Sequence, residues 1–373
     1  MDTIIEFFNT TIAPTVEPAI LETLRSTRIS AGVKADLFET RLSEKGLINP
    51  ITVNSGTATM HLALLAAGVS PGDEVIIPAQ TFIATGLVVL YVGATPVFAD
   101  INLDDGNISI QSIKEKITPK TKAIIPVHWA GYPCDMDEIN SIAKQYNLAV
   151  IEDAAHAFGA RYKNKPVGSL SRFTSFSFQA IKHLTTGDGG AICCLNTDDY
   201  NLIKRLRWFD IDRENTKTGF LGEREYDAAN IGYKYHMNDI AATIGIENLK
   251  IIDSKLEKIH NIAMIYKEEL KDISYIKLMN YNSDRHSSYW LFPLMVDSRD
   301  AFVEYMKKHN IPVSVVHQGI DSNSIFGDLR SDLINQRIFD AHQIHLPIHA
   351  ELNEQQIEKI ITTIKNFKHG RLN

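Results

Sequence analysis

The amino-acid sequence predicts an α/β protein: a large domain built on a mostly parallel sheet flanked by helices, followed by a smaller α+β C-terminal domain. Between residues 51 and 194, short apolar runs typical of strands alternate with helical stretches, which is the pattern of a parallel sheet covered on both faces. From about residue 200 this alternation stops. A chain of 373 residues is long enough for roughly two domains, which we place at residues 1–250 and 251–373.

Composition and charge exclude several classes of protein. Hydrophobic residues make up 44% and charged residues 22%, as in ordinary globular enzymes. The net charge of −7 does not favour a nucleic-acid partner, and no apolar run reaches the roughly 18 residues of a membrane helix. The N-terminus lacks the basic segment of a signal peptide. Cys134, Cys193 and Cys194 lack the spacing of a disulfide framework, so we expect a reducing, cytoplasmic location.

The first elements predict a strand–helix–strand unit. Residues 15–46 carry apolar positions at helical spacing, and the triplet SAG divides this helix in two. ITVN at 51–54 predicts a strand, SGT at 55–57 a tight turn, residues 58–67 an apolar helix, and EVIIPA at 74–79 the next strand.

The turn Ser55-Gly56-Thr57 fits two interpretations. Free N–H groups and the helix dipole make the N-terminus of such a helix an anion site, and the two hydroxyl groups suit a phosphate. Alternatively, Ser55 or Thr57 is an ordinary N-cap. The residues alone leave both interpretations open.

The alternation continues beyond this unit. The further helical stretches are 81–93, 109–118 and 136–147, and the further strands are 94–101, 122–131, 148–160, 173–178 and 189–195. Ligands of parallel α/β sheets bind at the carboxyl ends of the strands. Phe82, His128, Asp153 and Lys182 are expected at or just beyond that edge.

Lys182 lies between two predicted core strands and is followed by the glycine-rich turn TTGDGG. A lysine is rarely buried without a partner, so a surface loop is the ordinary interpretation. The functional alternative is a partly desolvated, nucleophilic amine that bonds a carbonyl group.

Asp153 follows the apolar run LAVI, where an unpaired carboxylate would be costly to bury. It is either a helix N-cap or the partner of a cationic ring nitrogen. His156 would lie on the same side of the turn. Taken by itself, His156 is more simply interpreted as a packing residue.

Together these residues point to one cofactor. Pyridoxal phosphate needs a phosphate cradle, an aromatic face, an anion for its pyridine nitrogen and an amine for its aldehyde. The turn at Gly56 supplies the phosphate cradle and Phe82 the aromatic face. Asp153 supplies the anion and Lys182 the amine. Lys182 is also the expected general base for the proton shift of a transamination.

The second half predicts the C-terminal domain. A helix near Tyr200 is followed by a charged, mobile segment to Tyr226, and helices are predicted from Asn238 and over about 250–271. SYWLFPLMVD, a helix at 299–309, IPVSVVHQG and the amphipathic helix NEQQIEKIITTIKNF complete this part.

Three histidines near the C-terminus do not predict a metal site. Pro347 interrupts the segment that holds His342, His345 and His349, and no cysteine or carboxylate completes a ligand set.

Seven segments along nearly the whole chain carry a family resemblance: NSGTATMHLAL, PGDEVIIPAQTFIAT, GATPVFADI, IEDAAHAFGA, SFSFQAIKHLTTGDGGA, GYKYHMNDIAATIG and HLPIH. With them the sequence resembles the DegT/StrS family of pyridoxal-phosphate sugar aminotransferases, which have the aspartate aminotransferase fold, fold type I. The resemblance implies covalent attachment of the cofactor to Lys182, ring-nitrogen pairing by Asp153, stacking by Phe82, phosphate contacts from Gly56, Thr57 and Ser177, and contact from His156 to the ring's hydroxyl side.

The resemblance also implies the reaction and its partners. Such enzymes take an amino group from L-glutamate, give it to a keto sugar, and act as homodimers in which each subunit completes the other's active site. One branch has histidine in place of the lysine and acts as a dehydratase, so Lys182 favours transamination.

The segment GYKYHM departs from the common pattern GYNYRM. Lys234 takes the place of the asparagine that reaches the neighbouring subunit's cofactor phosphate, and a lysine can serve a phosphate as a point charge. His236 replaces an arginine, and we assign it no role.

The sequence therefore predicts amino transfer from L-glutamate to a keto sugar, with a nucleotide-linked 4-keto-6-deoxyhexose as the expected acceptor, for an amino sugar of a surface polysaccharide or a metabolite. A 3-keto sugar, or a sugar free of nucleotide, is the alternative. A sugar dehydratase or a cofactor-binding regulatory protein is a further alternative. Ser30 and His317 are the expected sugar contacts.

Overall fold

The computed structural model describes residues 4–213 and 215–367. The helices are α1 (Val16–Arg25), α2 (Val33–Glu44), α3 (Gly56–Ala66), α4 (Ala84–Tyr91), α5 (Ile110–Lys116), α6 (Met136–Tyr146), α7 (Thr197–Leu206), α8 (Asp239–Leu249), α9 (Ile252–Leu270), α10 (Arg299–Lys308), α11 (Ile334–His342) and α12 (Glu354–Asn366). The strands are β1 (Pro50–Val53), β2 (Glu74–Pro78), β3 (Thr95–Ala99), β4 (Thr121–Ile124), β5 (Ala149–Asp153), β6 (Arg161–Tyr162), β7 (Lys165–Pro166), β8 (Phe173–Ser177), β9 (Gly190–Cys194), β10 (Lys217–Thr218), β11 (Arg224–Glu225), β12 (Ile276–Leu278), β13 (Arg285–His286), β14 (Phe292–Val296) and β15 (Gln343–Leu346).

The centre of the molecule is a seven-stranded sheet in the order β1-β9-β8-β5-β4-β2-β3. The strands β8, β5, β4, β2 and β3 pair in parallel, and β9 runs antiparallel to both of its neighbours. The predicted α/β fold with a mostly parallel sheet is therefore confirmed. Because β2, β5 and β8 run in one direction, their carboxyl ends meet at one edge.

Helix α3 begins two residues earlier than the sequence indicated, at Gly56 instead of residue 58. Ser55 has an extended backbone, and its hydroxyl accepts the N–H of Ala58, so Gly56 and Thr57 form the first turn of the helix. Residues 58–64 are buried on every side of the helix. A helix that is apolar all round is a core helix, and α3 packs between α4, α7 and strands β8 and β9.

A second core lies in the C-terminal half. Strand β14 pairs antiparallel with β12 and β15, and its buried side chains pack with those of α9, α10 and α12. The C-terminal helix thus packs against this sheet as predicted, and Asn353 and Gln356 form a capping box at its start. Ile5, from the other end of the chain, joins the same core.

Two segments differ in detail from the sequence prediction. The charged stretch before Tyr226 contains a short hairpin, β10–β11. The apolar run at 311–319 forms no strand of its own, and an isolated backbone bridge joins Ser314 to His345. The predicted boundary at residue 250 falls between α8 and α9 and stays a prediction.

In the two described ranges, no helix combines the length and the apolar character needed to cross a membrane.

Phe38 offers a test of the packing between α2 and α8. Its ring is fully buried, lies 5.5 Å from the ring of Phe178 and covers Gly245. Truncating a buried aromatic ring leaves a cavity, so we expect Phe38→Ala to lower the free energy of unfolding by about 3–5 kcal/mol in urea denaturation.

The neighbouring Leu37 is 37% exposed and provides the control. Leu37→Ala is expected to cost less than about 1.5 kcal/mol. Equal losses in the two variants would show that α2 does not pack through Phe38.

Candidate active site

A cavity of about 410 Å³ opens at the carboxyl edge of the central sheet. The strand ends of β2, β5 and β8, the first turn of α3 and the loop after β8 contribute its walls. Nine of the residues singled out in the sequence line it: Ser55, Gly56, Thr57, Phe82, Asp153, His156, Ser177, Lys182 and His317. The fold therefore brings together residues from Gly56 to His317, which are 261 positions apart in the sequence.

Lys182 lies inside this cavity and is half-buried. Its Nζ is 3.5 Å from the centroid of the Trp290 ring, a cation–π contact. Burial lowers the pKa of Lys182 from 10.5 to about 7, although the carboxylate of Asp153 acts in the opposite direction. The amine is therefore poised to be neutral, and nucleophilic, near neutral pH.

Asp153 ends strand β5 and is 5% exposed. Its Oδ2 accepts the hydroxyl of Thr85 at 2.8 Å, and its Oδ1 accepts the N–H of Ala155 at 3.1 Å. Burial raises the pKa of Asp153, while these two donors and Lys182 favour the carboxylate. A cationic partner in the cavity would stabilise the ionised form further.

The first turn of α3 approaches strand β8 very closely at Gly56. A methyl group on Gly56 would lie 2.9 Å from Cβ of Ser177, so only glycine fits without a shift. The hydroxyl of Ser55 caps the helix by accepting the N–H of Ala58. The N-cap and anion-site interpretations are therefore compatible, because the capping leaves the N–H groups of Gly56 and Thr57 at the cavity.

An aromatic stack forms one side of the site. The rings of His156 and Trp290 lie 3.8 Å apart and nearly parallel, at 16°. Trp290 donates its indole N–H to the carbonyl of Ile181, which fixes it beneath Lys182. Burial lowers the pKa of His156 well below its ordinary value, and its Nδ1 is buried without a hydrogen-bond partner among the described residues.

His317 reaches the cavity from the C-terminal half, 5.4 Å from the half-exposed ring of Phe82. A buried amide cluster holds its backbone: the carbonyl of His317 accepts from Nε2 of Gln80 at 3.0 Å and from Nε2 of Gln343 at 3.1 Å. Gln336 completes the cluster by donating to Oε1 of Gln80. Burial lowers the pKa of His317 to about 4, so its imidazole is neutral at neutral pH.

Three other residues of interest lie outside this cavity. His128 is at the same sheet edge but is fully buried, with Nε2 bonded at 2.8 Å to Glu152. Ser30 is exposed, and its carbonyl accepts the N–H of Asp239. Lys234 is exposed and pairs through its backbone with Trp208. The roles of Ser30 and Lys234 stay predictions.

The sequence analysis missed Trp290 and Thr85. Trp290 stands in an apolar run of the second half, where nothing in the pattern relates it to Lys182. Thr85 lies three residues after Phe82 in the first turn of α4, so a hydroxyl following a strand end was the available signal.

The C-terminal histidines are dispersed: His345 is buried, with Nδ1 accepting the N–H of Val316, and His349 bonds the carbonyl of Glu6. The described part of the chain holds no cluster of three or more His, Cys, Asp or Glu side chains suited to a metal ion.

The cavity fits pyridoxal phosphate on three observations. The cradle at Gly56 has no room for a side chain, so backbone N–H groups can meet a phosphate directly. The buried Nδ1 of His156 lacks a partner among the described residues. Lys182 and Asp153 both line the cavity, and the carboxylate of Asp153 acts on the pKa of the Lys182 amine. Fold and cavity together define a fold type I enzyme that depends on pyridoxal phosphate.

Comparison with known proteins identifies the family. The family model of the DegT/DnrJ/EryC1/StrS aminotransferase family matches residues 11–365, and the chain belongs to this family. GDP-perosamine synthase of Escherichia coli O157:H7 is 34% identical, over 93% of each chain. UDP-4-amino-4-deoxy-L-arabinose--oxoglutarate aminotransferase of Shewanella sediminis is 31% identical, over 94% of each chain.

A solved structure supports the same family assignment. The putative sugar aminotransferase Spr1654 of Streptococcus pneumoniae, in its PLP form, superposes with a TM-score of 0.89 at 30% identity, covering 97% of this chain and 98% of that one. The same protein is also known in a PMP form. The predicted family, fold type, cofactor and enzyme class, a pyridoxal-phosphate sugar aminotransferase, are thereby confirmed.

The lowered pKa of Lys182 predicts how cofactor loading depends on pH. Attachment of pyridoxal phosphate needs the neutral amine, so its rate in cofactor-free enzyme should rise as the pH passes through about 7 and then level off. An absorbance time course at each pH measures this, with Lys182→Ala as the control that attaches nothing. A rate that continues to rise up to the ordinary lysine pKa of about 10.4 would contradict the burial argument.

The lowered pKa of Lys182 also makes the free energy of unfolding depend on pH. Because the folded-state pKa is about 7 and the ordinary value is 10.5, the unfolded chain binds more protons between these two values. The contribution of Lys182 to the free energy of unfolding of the cofactor-free enzyme therefore increases with pH across that window and is unfavourable below it.

Proposed function

We propose that this enzyme transfers the amino group of L-glutamate to a nucleotide-linked 4-keto-6-deoxyhexose in the formation of an amino sugar. The observation that carries the proposal is the amine of Lys182, whose pKa burial lowers to about 7, in one cavity with the carboxylate of Asp153. Bound pyridoxal phosphate supplies an aldehyde that condenses with amines and a protonated ring that withdraws electrons.

The names of the relatives support the acceptor and the donor. One relative is named as a GDP-perosamine synthase, and another is named for a UDP-linked sugar that carries its amino group on carbon 4. The second name also includes oxoglutarate, the keto acid that remains when glutamate gives up its amino group. The same donor and a 4-keto acceptor are therefore the simplest assignment for this chain.

Each residue of the cavity has a distinct proposed role. Lys182 offers its neutral amine for covalent attachment, and then removes and returns the proton at the reacting carbon of the substrate. Asp153, held by Thr85 and by the N–H of Ala155, keeps a proton on the ring nitrogen. Phe82 would stack on the ring of the cofactor, and His156 would contact the ring's hydroxyl side.

The remaining groups bind and orient. The N–H groups of Gly56 and Thr57 and the hydroxyl of Ser177 donate to the phosphate at the N-terminus of α3, where the helix dipole favours an anion. Trp290 fixes His156 by stacking and gives the amine of Lys182 an aromatic surface when it is not bonded. His317, neutral at neutral pH and next to Phe82, contacts the sugar.

A 3-keto sugar, or one free of nucleotide, is the second candidate acceptor. The presence of Lys182 argues against a dehydratase, and the intact cavity argues against a regulatory protein without turnover. We further propose a homodimer with shared active sites, since Lys234 is exposed and does not line its own subunit's cavity. A cytoplasmic location accords with three buried, free cysteines.

The decisive experiment follows the two half-reactions separately. L-glutamate added to the pyridoxal-phosphate enzyme should convert the bound cofactor to its pyridoxamine form, seen as a shift of the absorbance band. A panel of 3-keto and 4-keto sugars, with and without nucleotide, should then contain one that restores the band. Failure of glutamate to shift the band would refute the donor and reopen the dehydratase and regulatory hypotheses.

Lys182→Ala tests the central residue. We expect loss of the visible absorbance of covalently attached cofactor and of all measurable turnover, because no other amine lines the described cavity. Lys163→Ala, at an exposed lysine paired with Asp137, is the matched control and should keep full activity. Transaminase activity in the Lys182→Ala enzyme would overturn the mechanism.

Lys234→Ala tests the shared site. If Lys234 holds the phosphate of the neighbouring subunit's cofactor, its loss should weaken cofactor affinity by about 10-fold or more, the usual effect of removing a charged hydrogen bond. Dialysis and titration of the apoenzyme measure this affinity. An unchanged affinity would remove Lys234 from the site, and a monomer in size-exclusion chromatography would remove the shared site altogether.

A further inference from the structure

The loop that carries Lys182 into the catalytic cavity, the cavity of about 410 Å³, has no regular secondary structure. It spans residues 178–189, between β8 and β9, and consists of turns and bends. Backbone carbonyl groups outside helices and strands need hydrogen-bond donors from elsewhere when they are buried. The position of the Lys182 amine therefore depends on which groups hold this loop.

Side chains from four distant parts of the chain donate hydrogen bonds to carbonyls of this loop, on both sides of Lys182. The pairs, donor first, are Thr10 with Ala180 at 3.0 Å, Trp290 with Ile181 at 2.9 Å, Lys255 with His183 at 2.8 Å and Asn248 with Thr185 at 2.9 Å. Tertiary contacts thus hold the loop, and the backbone geometry at Lys182 is determined by residues outside the loop.

Lys255, on α9, is the unexpected donor in this set. It is 8% exposed, and the hydrogen bond of its Nζ goes to the carbonyl of His183 instead of to a carboxylate. Burial lowers the pKa of Lys255 from 10.5 to about 8, although Glu351 acts in the opposite direction. Lysine is seldom buried without an acidic partner, so a buried lysine that binds the residue next to Lys182 needs a specific explanation.

The side chain of His183 makes a second buried contact. It is 5% exposed, and its Nε2 lies 2.9 Å from the carbonyl oxygen of Ser288. Because a carbonyl oxygen can only accept, Nε2 carries the proton and donates it to this hydrogen bond. Burial first, and then the charge of Lys255, lower the pKa of His183 to about 3, so its imidazole is neutral at neutral pH.

Ser288 connects His183 to His156. The hydroxyl of Ser288 donates to the carbonyl of His156 at 2.9 Å, and its N–H donates to the carbonyl of Gly131 at 3.0 Å. Ser288 and His156 are both buried, and His156 lines the cavity and stacks on Trp290. A buried series of hydrogen bonds thus runs from α9 through His183 to a residue that is expected at the cofactor ring.

Two features of this series favour a role in the chemistry over a role in stability alone. His183 directly follows Lys182, so the carbonyl that Lys255 holds moves with the backbone of Lys182. The imidazole of the same residue is tied, through Ser288, to the backbone of His156. Reacting groups must be held close to their productive positions, because a displacement of about 1 Å can cost about 100-fold in rate.

We propose that His183 is a positioning residue of this enzyme, which holds Lys182 and His156 in their places in the catalytic cavity. Lys255 acts with it by binding its carbonyl, and Ser288 acts with it by joining its imidazole to the backbone of His156. This inference rests on the proposed role of Lys182 and does not depend on the identity of the keto sugar.

Two substitutions of His183 separate the hydrogen bond from the packing. His183→Leu removes the donor, whereas His183→Gln keeps a side-chain N–H of similar reach. In the cofactor-free enzyme, we expect His183→Leu to slow the attachment of pyridoxal phosphate to Lys182 by about 10-fold or more, and His183→Gln to recover most of the rate. In the loaded enzyme, the maximal rate of cofactor conversion by L-glutamate should fall in the same order, while the half-saturating glutamate concentration changes little.

Lys255→Met tests the other end of the series and leaves no charge to bury. It should also slow attachment, but it should keep the affinity for pyridoxamine phosphate, which has no aldehyde to bond with Lys182. His183→Leu should weaken that affinity as well, because the backbone of His156 loses its support. His342→Leu, at a half-buried histidine that bonds the carbonyl of Val296, is the matched control, and it should leave the attachment rate unchanged.

Urea denaturation of every variant measures the purely structural effect. Wild-type attachment rates in His183→Leu and Lys255→Met would overturn the inference, as would equal losses in His183→Leu and His183→Gln or an equal slowing in His342→Leu. If His183→Leu does not fold, the rate of Lys255→Met decides. A wild-type enzyme that attaches no cofactor at Lys182 would remove the proposed function too, whereas normal attachment in all variants would remove only this inference.

Discussion

The catalytic cavity depends on how closely the N-terminus of α3 approaches the ends of β8 and β9. Gly56 meets Ser177 at a distance that admits no side chain, and a methyl group on Gly190 would lie 2.6 Å from the carbonyl oxygen of Phe176 and 2.8 Å from the backbone of Ser55. These two glycines let the helix rest directly on the sheet edge. The N–H groups of the first helical turn are thereby placed beside the loop that carries Lys182.

The second constraint is the cost of desolvating charge beside that edge. Burial acts in opposite directions on the pKa of Lys182 and of Asp153, and in both cases it disfavours the charged form. Lys182 contacts the aromatic ring of Trp290 instead of forming a full ion pair, and Asp153 accepts two hydrogen bonds. Burial thus favours the neutral amine of Lys182, and the two donors favour the carboxylate of Asp153, a division of roles that accords with pyridoxal-phosphate chemistry.

Charged and uncharged polar side chains are placed differently around the catalytic cavity. Among the described residues that line it, Lys182 is the only lysine or arginine, and Asp153 and Asp188 are the carboxylates. The buried amides of Gln80, Gln336 and Gln343 serve a different purpose, since they are uncharged and fix the backbone of His317.

The sequence by itself determined the alternating elements, the parallel sheet and the cofactor, because these depend on local patterns: glycines at a turn, an aspartate after an apolar strand, a lysine before a glycine-rich turn. It also carried a family resemblance that the comparisons confirmed. Tertiary structure alone decided that Trp290 lies under Lys182 and that amides 256 positions apart, Gln80 and Gln336, share a hydrogen bond. These contacts join distant parts of the chain through packing and side-chain geometry, which no local periodicity records.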